Sequence, residues 1–208
     1  IAMVTFLDAQ TINRYGTTTA NFLEIGIGSR ATSMGDAYVA VANDVSSIYW
    51  NPAGLAHVAR SSALFSIQPW LVDIDMMFAG GAFVVPSVGV IGLGITHLDY
   101  GEMDVTNLEY QDGTGERFGA SDVAATFTFS RKIVSWFSFG SSMKYISSKI
   151  WHSSASAFAV DLGVLVNTNF FSFTGKDKDG MNIGMSISNY GTRMKYDGID
   201  NYQPIDIS

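Results

Sequence analysis

Histidine and serine are the residue types in this chain that most readily suggest metal binding or catalysis. The three histidines lie in different segments, at His57, His97 and His152, and such scattered ligands do not predict a zinc site. Serine is abundant, but the sequence lacks the G-x-S-x-G motif of a nucleophile elbow. The glycines of Gly89–Gly94 alternate with apolar residues, which favours close approach of another segment to a strand over a nucleotide loop. We therefore predict no enzyme, no metal and no cofactor.

Acidic side chains gather around one predicted long loop, Tyr100 to Gly119. They are Asp99, Glu102, Asp104, Glu109, Asp112 and Glu116, followed by Asp122. Arg117 is the one counter-charge in this stretch. The cluster could bind divalent cations that bridge lipopolysaccharide, or could contact a basic partner. A solvated, flexible loop is the interpretation we favour.

Composition limits the classes of protein to which the chain can belong. It is 47% hydrophobic and only 15% charged, whereas soluble domains carry charge on about a quarter of their residues. No run of apolar residues is long enough for a membrane-spanning helix, because Ser, Gly and Thr interrupt every stretch. The net charge of −7 excludes a nucleic-acid partner, and the lack of cysteine excludes a disulfide framework. A soluble β-rich domain and a membrane β-barrel remain.

From Ser61 onward, apolar side chains recur at every second residue, which predicts strands. In Asp122–Ser130 the residues Val123, Ala125, Phe127 and Phe129 alternate with small or polar ones. About seven such strands of roughly 9–11 residues are predicted, the length that crosses a bilayer at a tilt. The predicted class is therefore all-β, with an antiparallel transmembrane β-barrel.

The predicted connections and aromatic residues also favour a membrane barrel. Pro86-Ser87 and Arg131–Val134 are short, whereas Tyr100–Gly119 and the stretch after Tyr190 are long, as in outer-membrane proteins. Aromatic residues near predicted strand ends would form an interfacial girdle; they are Trp70, Tyr100, Trp136, Tyr145, Trp151, Phe170, Phe171 and Tyr190. A soluble sandwich or lipocalin-like barrel is the alternative. Its solvent face would carry Gly, Ala, Ser and Thr with hardly any Lys or Glu, which is unfavourable for solubility.

The N-terminal part of the chain does not alternate. Apolar residues at Ala31–Val45 follow helical spacing, and Asp44 or Ser46 could cap a second short turn that ends at Asn51-Pro52. We interpret it as a compact helical or irregular segment that is too small to bury a core of its own. Before it, the apolar Ile1–Leu7 could be the remnant of a signal peptide ending near Ala9 or Gln10, or a first strand.

Residues Asn21–Ala56 resemble the PorV/PorQ family of outer-membrane proteins, which is itself similar to FadL-type fatty acid transporters. The matching motif residues are Arg30, Met34, Gly35, Asp36, Asn51, Pro52, Ala53, Gly54 and Leu55. They stand in the stretches Gly28–Arg30, Met34–Ala37, Ala42–Asp44 and Tyr49–Leu55. Similarity continues through Leu98–Met103, Val160–Gly163 and Ile187–Gly191. Its order over some thirty residues makes the resemblance specific.

This resemblance implies a barrel of about 14 strands with an N-terminal hatch, a plug that folds into the lumen. The expected division is a signal-peptide remnant at 1–10, a helical plug at 11–60 and the first half of the barrel at 61–208. With about seven strands, the chain is expected to be truncated after Ser208. Lys144 and Asp161, on lumen-facing positions, could pair with each other or with Arg30 of the plug. We favour an internal salt bridge that holds the plug over a substrate-binding role.

Two functions follow from the resemblance. PorV-like proteins imply a component of type IX protein secretion in the outer membrane of Gram-negative cells, which binds exported proteins and partner subunits. FadL-like proteins imply uptake of long-chain fatty acids or other hydrophobic compounds. The motif residues favour the first. The expected partners are outer-membrane lipid and lipopolysaccharide, other secretion-system proteins and exported cargo.

Overall fold

A computed structural model describes residues 20–72, 74–111, 113–168, 170–172, 180–192, 194–196 and 206–207. The predicted signal-peptide remnant at 1–10 and Asp112 of the acidic cluster lie outside these residues. None of the described helices is long and apolar enough to span a membrane.

The main element is a seven-stranded antiparallel sheet in which every strand pairs with its sequence neighbours, in the order β1 to β7. The strands are β1 (Ser62–Pro69), β2 (Asp75–Val85), β3 (Gly89–Asp104), β4 (Arg117–Val134), β5 (Phe137–Ile150), β6 (Ser153–Asn167) and β7 (Asn182–Gly191). A separate two-stranded sheet joins β8 (Met194–Lys195) and β9 (Asp206–Ile207). The predicted all-β antiparallel class is confirmed.

Several strands are longer than expected. β3 has 16 residues and β4 has 18, against the 9–11 predicted from the alternation. Their pairing resumes beyond a bulge at Asp99/Glu102, where Gly101 has φ 71°, and continues to Asp104↔Arg117. Backbone hydrogen bonds continue there because they do not require apolar side chains. Asp99, Glu102 and Asp104 therefore lie in β3, and the connection shrinks to residues 105–116.

The lengths of the connections depart from a strict alternation. Residues 86–88 join β2 to β3, and 135–136 join β4 to β5, so Arg131–Val134 belongs to β4 and not to the turn. At this same end of the sheet, however, residues 168–181 make a long connection from β6 to β7. At the opposite end, Trp151-His152 forms a two-residue turn beside the long 105–116 connection.

The two faces of the sheet differ in side-chain size. Small and polar residues such as Thr126, Thr128 and Asp161 are buried on one face, which we call the covered face. Large apolar residues lie on the open face, where Phe127 is 51% and Phe158 is 58% exposed. The alternation in Asp122–Ser130 thus places Phe127 on the open face and Thr126 and Thr128 on the covered face.

Residues 20–57, the N-terminal segment, pack on the covered face. Val45 lies against Gly80, Ile48 against Gly92 and Gly94, and Pro52 against Gly140. The close approach of another segment is thus observed at Gly92 and Gly94, whereas Gly89 faces Phe129 and Ser130 of the neighbouring strand.

The N-terminal segment contains less helix than its spacing suggested. Its elements are the 3-10 helix Asn21–Glu24, α1 (Ser29–Ser33), α2 (Ser47–Trp50) and the 3-10 helix Pro52–His57. The helical spacing of Ala31–Val45 is realised only as far as Ser33, where α1 ends, and the stretch from there to α2 is irregular. Gly35 and Asp36 take φ of 61° and 63°, and the Asp36 N–H donates to the Ala31 carbonyl at 2.9 Å. This left-handed turn ends the helix.

Two girdle assignments also change. Tyr100 is half-buried and its hydroxyl donates to Asp122 Oδ2 at 2.8 Å, so it serves the covered face. Tyr145 lies in the middle of β5, where it packs on Phe158 with ring centroids 5.1 Å apart. Trp70, Trp136 and Trp151 do lie at strand ends.

Candidate functional site

Asn51 fastens the N-terminal segment to the sheet. Its amide Nδ2 donates to the Val39 carbonyl at 2.9 Å and to the Val164 carbonyl of β6 at 3.2 Å, while Oδ1 accepts the Ala53 N–H at 3.0 Å. The side chain is fully buried. Because a buried polar group left without partners costs about 1–3 kcal/mol, three satisfied bonds explain an asparagine at this position.

The strands beneath the Asn-Pro turn lack side chains where the turn touches them. Gly140 of β5 contacts Pro52, and Gly163 of β6 contacts both Asn51 and Pro52. These two glycines are direct partners across the β5–β6 ladder. Gly184 of β7 faces the backbone of Ala40 in the same way. A Cβ at any of these positions would overlap the segment, so glycine creates the shelf on which it rests.

Tyr49 and Trp50 hold the chain that precedes them. The Tyr49 hydroxyl lies 2.7 Å from the carbonyl oxygens of Leu23 and Ile25, and Trp50 Nε1 donates to the Ile27 carbonyl at 3.1 Å. The two rings also contact each other edge to face, with centroids 5.5 Å apart. The Tyr-Trp-Asn-Pro run thus connects the start of the segment to the sheet.

Arg30 stabilises the segment internally. Its guanidinium lies 2.9 Å from Asp44 Oδ2 and donates to Asn43 Oδ1 at 3.3 Å, and it lies over the Tyr38 ring. Asp44 also accepts the Ser46 N–H at 2.9 Å, within the turn that leads into α2, whose N-cap residue Ser46 makes no capping bond with its side chain. Arg30 therefore pairs with Asp44 and not with Lys144 or Asp161. Met34, 48% exposed, and Asp36 sit at the exposed turn.

A buried ion pair lies beneath the segment. Lys144 Nζ of β5 is 2.9 Å from Asp161 Oδ2 of β6, and the two side chains are 3% and 1% exposed. Asn189 of β7 completes the group: its Oδ1 accepts from Lys144 at 2.7 Å and its N–H donates to Asp161 Oδ1 at 2.8 Å. The Lys144 ammonium also lies 5.9 Å from the centre of the Tyr49 ring.

Asn189 and Tyr49 were not predicted as part of this group. Asn189 reaches the pair because the β6–β7 register shifts between Val160 and Leu162 and because its own φ is 59°. A bulge leaves no local apolar pattern, so the only available signal is an asparagine before Tyr-Gly, a residue type that tolerates positive φ.

His57 ends the segment beside β4 and β5. Its Nε2 lies 3.0 Å from Ser138 Oγ, and the neighbouring Ser130 Oγ accepts the Ala56 N–H at 3.1 Å. Burial, and next the positive charge of Lys132, lower the pKa of His57. His57 thus acts as a neutral hydrogen-bonding residue, and within the described chain no three His, Asp or Glu residues gather as metal ligands.

The acidic residues divide into paired and unpaired groups. Arg117 bridges Glu102 and Asp104 across the β3–β4 ladder, at 3.1 Å from each. Asp99 Oδ1 accepts the Gly101 N–H at 3.0 Å. Glu109 and Glu116 are exposed on the connection. The described carboxylates of this rim do not gather as a cation cage.

An open cavity of about 540 Å³ separates the N-terminal segment from β5, β6 and β7. Glu24, Lys144, Ser188 and Asn189 bring polar groups into it, and Leu23, Ile146 and Ala157 bring apolar ones.

Comparison with known proteins identifies one family. The sequence model described as type IX secretion system protein PorV matches residues 8–208. No match is found among curated proteins or among solved structures. PorV is a secretion-system component and is not a known enzyme family. Since the match covers nearly the whole sequence, from before the N-terminal segment through every strand of the sheet, this chain belongs to the PorV family of type IX secretion system proteins.

Proposed function

We propose that this protein is an outer-membrane β-barrel of type IX secretion that binds exported proteins and partner subunits. The seven strands would form part of the barrel wall, with residues 11–60 as the plug and the rest of the chain from 61 as wall. The main support is the family match, together with a sheet whose large apolar side chains face away from its core.

The open face supports the membrane part of the proposal. Its exposed side chains are mainly large and apolar, including Phe65, Leu93, Phe127, Phe158 and Met185. An exposed apolar surface of this extent marks a membrane or protein contact. Charged residues on this face stand towards the strand ends: Asp75, Asp99, Arg131 and Lys149. That distribution is typical of an apolar band bounded by polar rims.

The covered face supports the plug. In a closed barrel this face would line the lumen, and the N-terminal segment already occupies it through Asn51, the glycine shelf and His57. The motif residues from Tyr49 to Leu55 would serve to seat the plug. Lys144 and Asp161 would hold its underside, through Asn189 and the Tyr49 ring.

Uptake of long-chain fatty acids is the alternative function, and it requires an apolar pocket beside the plug. The cavity at that position presents Glu24, Lys144 and Asn189 along with its apolar wall. A long alkyl chain would desolvate these groups without offering them hydrogen bonds, which is unfavourable. The geometry therefore favours the secretion role.

A deletion strain of the native bacterium tests the proposal. We expect loss of extracellular export of type IX substrates, with normal growth on long-chain fatty acid as the sole carbon source. Complementation by the wild-type gene should restore export. Normal secretion combined with failed fatty acid uptake would replace the secretion role with transport.

A further inference from the structure

Polar side chains form a strip on the open face of the sheet, beside the β5–β6 turn. The strip, which we call the polar strip, consists of Ser121 of β4, Tyr145, Ser147 and Lys149 of β5, and Ser154 and Ser156 of β6. Ser147 and Ser156 are direct cross-strand partners. None of the six residues makes a side-chain hydrogen bond or ion pair with the described part of the chain. Their polar groups are therefore available to a ligand.

Lys149 supplies the positive charge of the polar strip. It is exposed, and its direct partners on the two neighbouring strands are Ser121 and Ser154. No carboxylate of the described residues forms an ion pair with it. An ammonium group with a hydroxyl on either side offers a charge and several hydrogen-bond donors to a phosphate.

An apolar hollow of about 830 Å³ adjoins the polar strip on the same face of the sheet. Leu93, Phe127 and Phe158 are among the large side chains that line it, and Ala125 leaves room between them. Tyr145 belongs to both the hollow and the strip, because its ring packs on Phe158. A hydrocarbon chain in the hollow would therefore lead directly to the polar strip.

The polar strip lies where the apolar band of β5 ends. From Phe137 to Ser147 the open face of β5 covers about 34 Å along the strand. Strands of outer-membrane barrels tilt by roughly 40°, so this length spans about 26 Å of depth, close to the apolar band of about 25 Å. Lys149 stands about 7 Å further along the strand. The serines and Lys149 thus match the level at which lipid carbonyls give way to phosphates.

The width of the polar strip favours lipopolysaccharide over a phospholipid. From Ser121 to Ser154 it crosses two strand spacings, about 10 Å in all, and all three strands carry hydroxyl groups. A glycerophospholipid presents little more than its esters and its phosphate over this area. The lipid A anchor of lipopolysaccharide is a phosphorylated glucosamine disaccharide with ester-linked and amide-linked chains. Hydroxyl side chains can donate to its carbonyls and accept from its own hydroxyls.

We infer that the polar strip binds the phosphorylated sugar headgroup of lipopolysaccharide, with one acyl chain in the apolar hollow. This inference rests on the proposed outer-membrane location. A phosphate contacts Lys149, and the hydroxyls of Tyr145, Ser147 and Ser156 bond the carbonyls that join the chains to the sugars.

The test places the full-length protein in nanodiscs that contain lipid A, phosphatidylglycerol and phosphatidylethanolamine in equal amounts. Native mass spectrometry counts the lipids that stay bound when the protein is released. We expect lipid A to be retained about tenfold over either phospholipid by the wild type. K149Q should lower this preference about fivefold, the contribution of one basic residue beside an anionic lipid surface. Y145F, which removes only a hydroxyl, should lower it about twofold or more.

R131Q is the matched control. Arg131 is exposed on the same face of the sheet but at the opposite border of the apolar band, so R131Q should keep the wild-type preference. All three variants should unfold at the wild-type urea concentration.

Three outcomes would overturn the site: equal loss in R131Q and K149Q, an unchanged preference in both K149Q and Y145F, or retention of a phospholipid in place of lipid A. A wild type that enters the discs without retaining lipid A would refute the site alone. A wild type that does not enter the discs would refute the membrane location as well.

Discussion

The Lys144–Asp161 pair shows how a buried charge can link three strands to the segment above them. Removing two ions from water carries a large desolvation free energy. The pair can be buried because Asn189 forms a hydrogen bond with each partner. We predict that K144M lowers the free energy of unfolding by about 3–5 kcal/mol, because Asp161 would be left buried and unpaired. The measurement is urea unfolding in lipid vesicles, followed by tryptophan fluorescence.

Two further variants separate this effect from general loss of charge. K144M/D161N should recover part of the lost stability, because no uncompensated anion remains. R117Q breaks two pairs whose three side chains are all more than half exposed, and it should cost no more than about 1 kcal/mol. If K144M and R117Q lower the free energy of unfolding equally, burial of the Lys144–Asp161 pair does not contribute to stability as proposed.

His57 makes the stability of the packed N-terminal segment sensitive to acid. The pKa of His57 is lowered in the folded state, so below the ordinary value of about 6.5 the unfolded chain binds a proton that the folded chain does not. The free energy of unfolding should therefore fall as pH drops through 6.5 and below, and the effect should be absent above it. Unfolding at pH 7.5 and 5.5 should show a larger loss for the wild type than for H57Q. Identical losses in both proteins would remove His57 as the cause.

At the scale of the strand, β4 tests which face meets lipid. F127R should cost about 2–4 kcal/mol if Phe127 lies near the middle of the bilayer. S121R lies on the same face of the same strand but near its end, so it should cost at most about 1 kcal/mol. Vesicle unfolding measures both variants. If both variants lower the free energy of unfolding equally, the open face does not span the bilayer from its middle to its edge.

The covered face is not expected to accept arginine, although the amphipathic pattern alone suggests that it would. A polar lumen would accept arginine at Thr128, yet Thr128 is fully buried and its hydroxyl lies 2.8 Å from Ser142 Oγ. The N-terminal segment fills that side, so T128R is also expected to destabilise the protein.

The second prediction at this scale concerns the glycine shelf formed by Gly140, Gly163 and Gly184. G163A should cost about 1–3 kcal/mol by overpacking, because its Cβ would overlap Asn51 and Pro52. It should also increase cleavage of residues 20–57 by an added protease. G119A is the control, since the nearest atom to its Cβ would be the Gly101 carbonyl oxygen at 3.6 Å. Unchanged proteolysis in G163A would show that the segment does not depend on the shelf.

For the molecule as a whole, most of the described acidic side chains lie at one end of the sheet, which we call the acidic end: Asp75, Asp99, Glu102, Asp104, Glu109 and Glu116. If the acidic end meets basic regions of exported proteins, the association rate should fall as salt rises past physiological strength. E109Q/E116Q, which leaves the Arg117 pairs intact, should lower the rate at low salt and flatten its dependence on salt. Stopped-flow binding of a purified export substrate provides the measurement. A rate that does not change with salt would exclude electrostatic steering.

Local periodicity was sufficient to predict the strands, their antiparallel class and the placement of Phe127 and Thr128 on opposite faces of the sheet. Side chains alternate across a strand whatever the strand pairs with, so a period of two reports each face directly. The end of α2 at Asn51-Pro52 was predictable for the same reason, because it depends on neighbouring residues alone. The PorV-like motif carried the family assignment.

Tertiary structure decided which segments meet. Asn51 bonds to Val164 across 113 positions of sequence, and no local pattern specifies such a partner. The Arg30–Asp44 pair, the entry of Asn189 into the Lys144 group and the extension of β3 past its bulge depend on register and on left-handed residues. Those features arise from the balance of backbone pairing and packing over the whole sheet, since bulges and long-range contacts leave the amphipathic period unchanged.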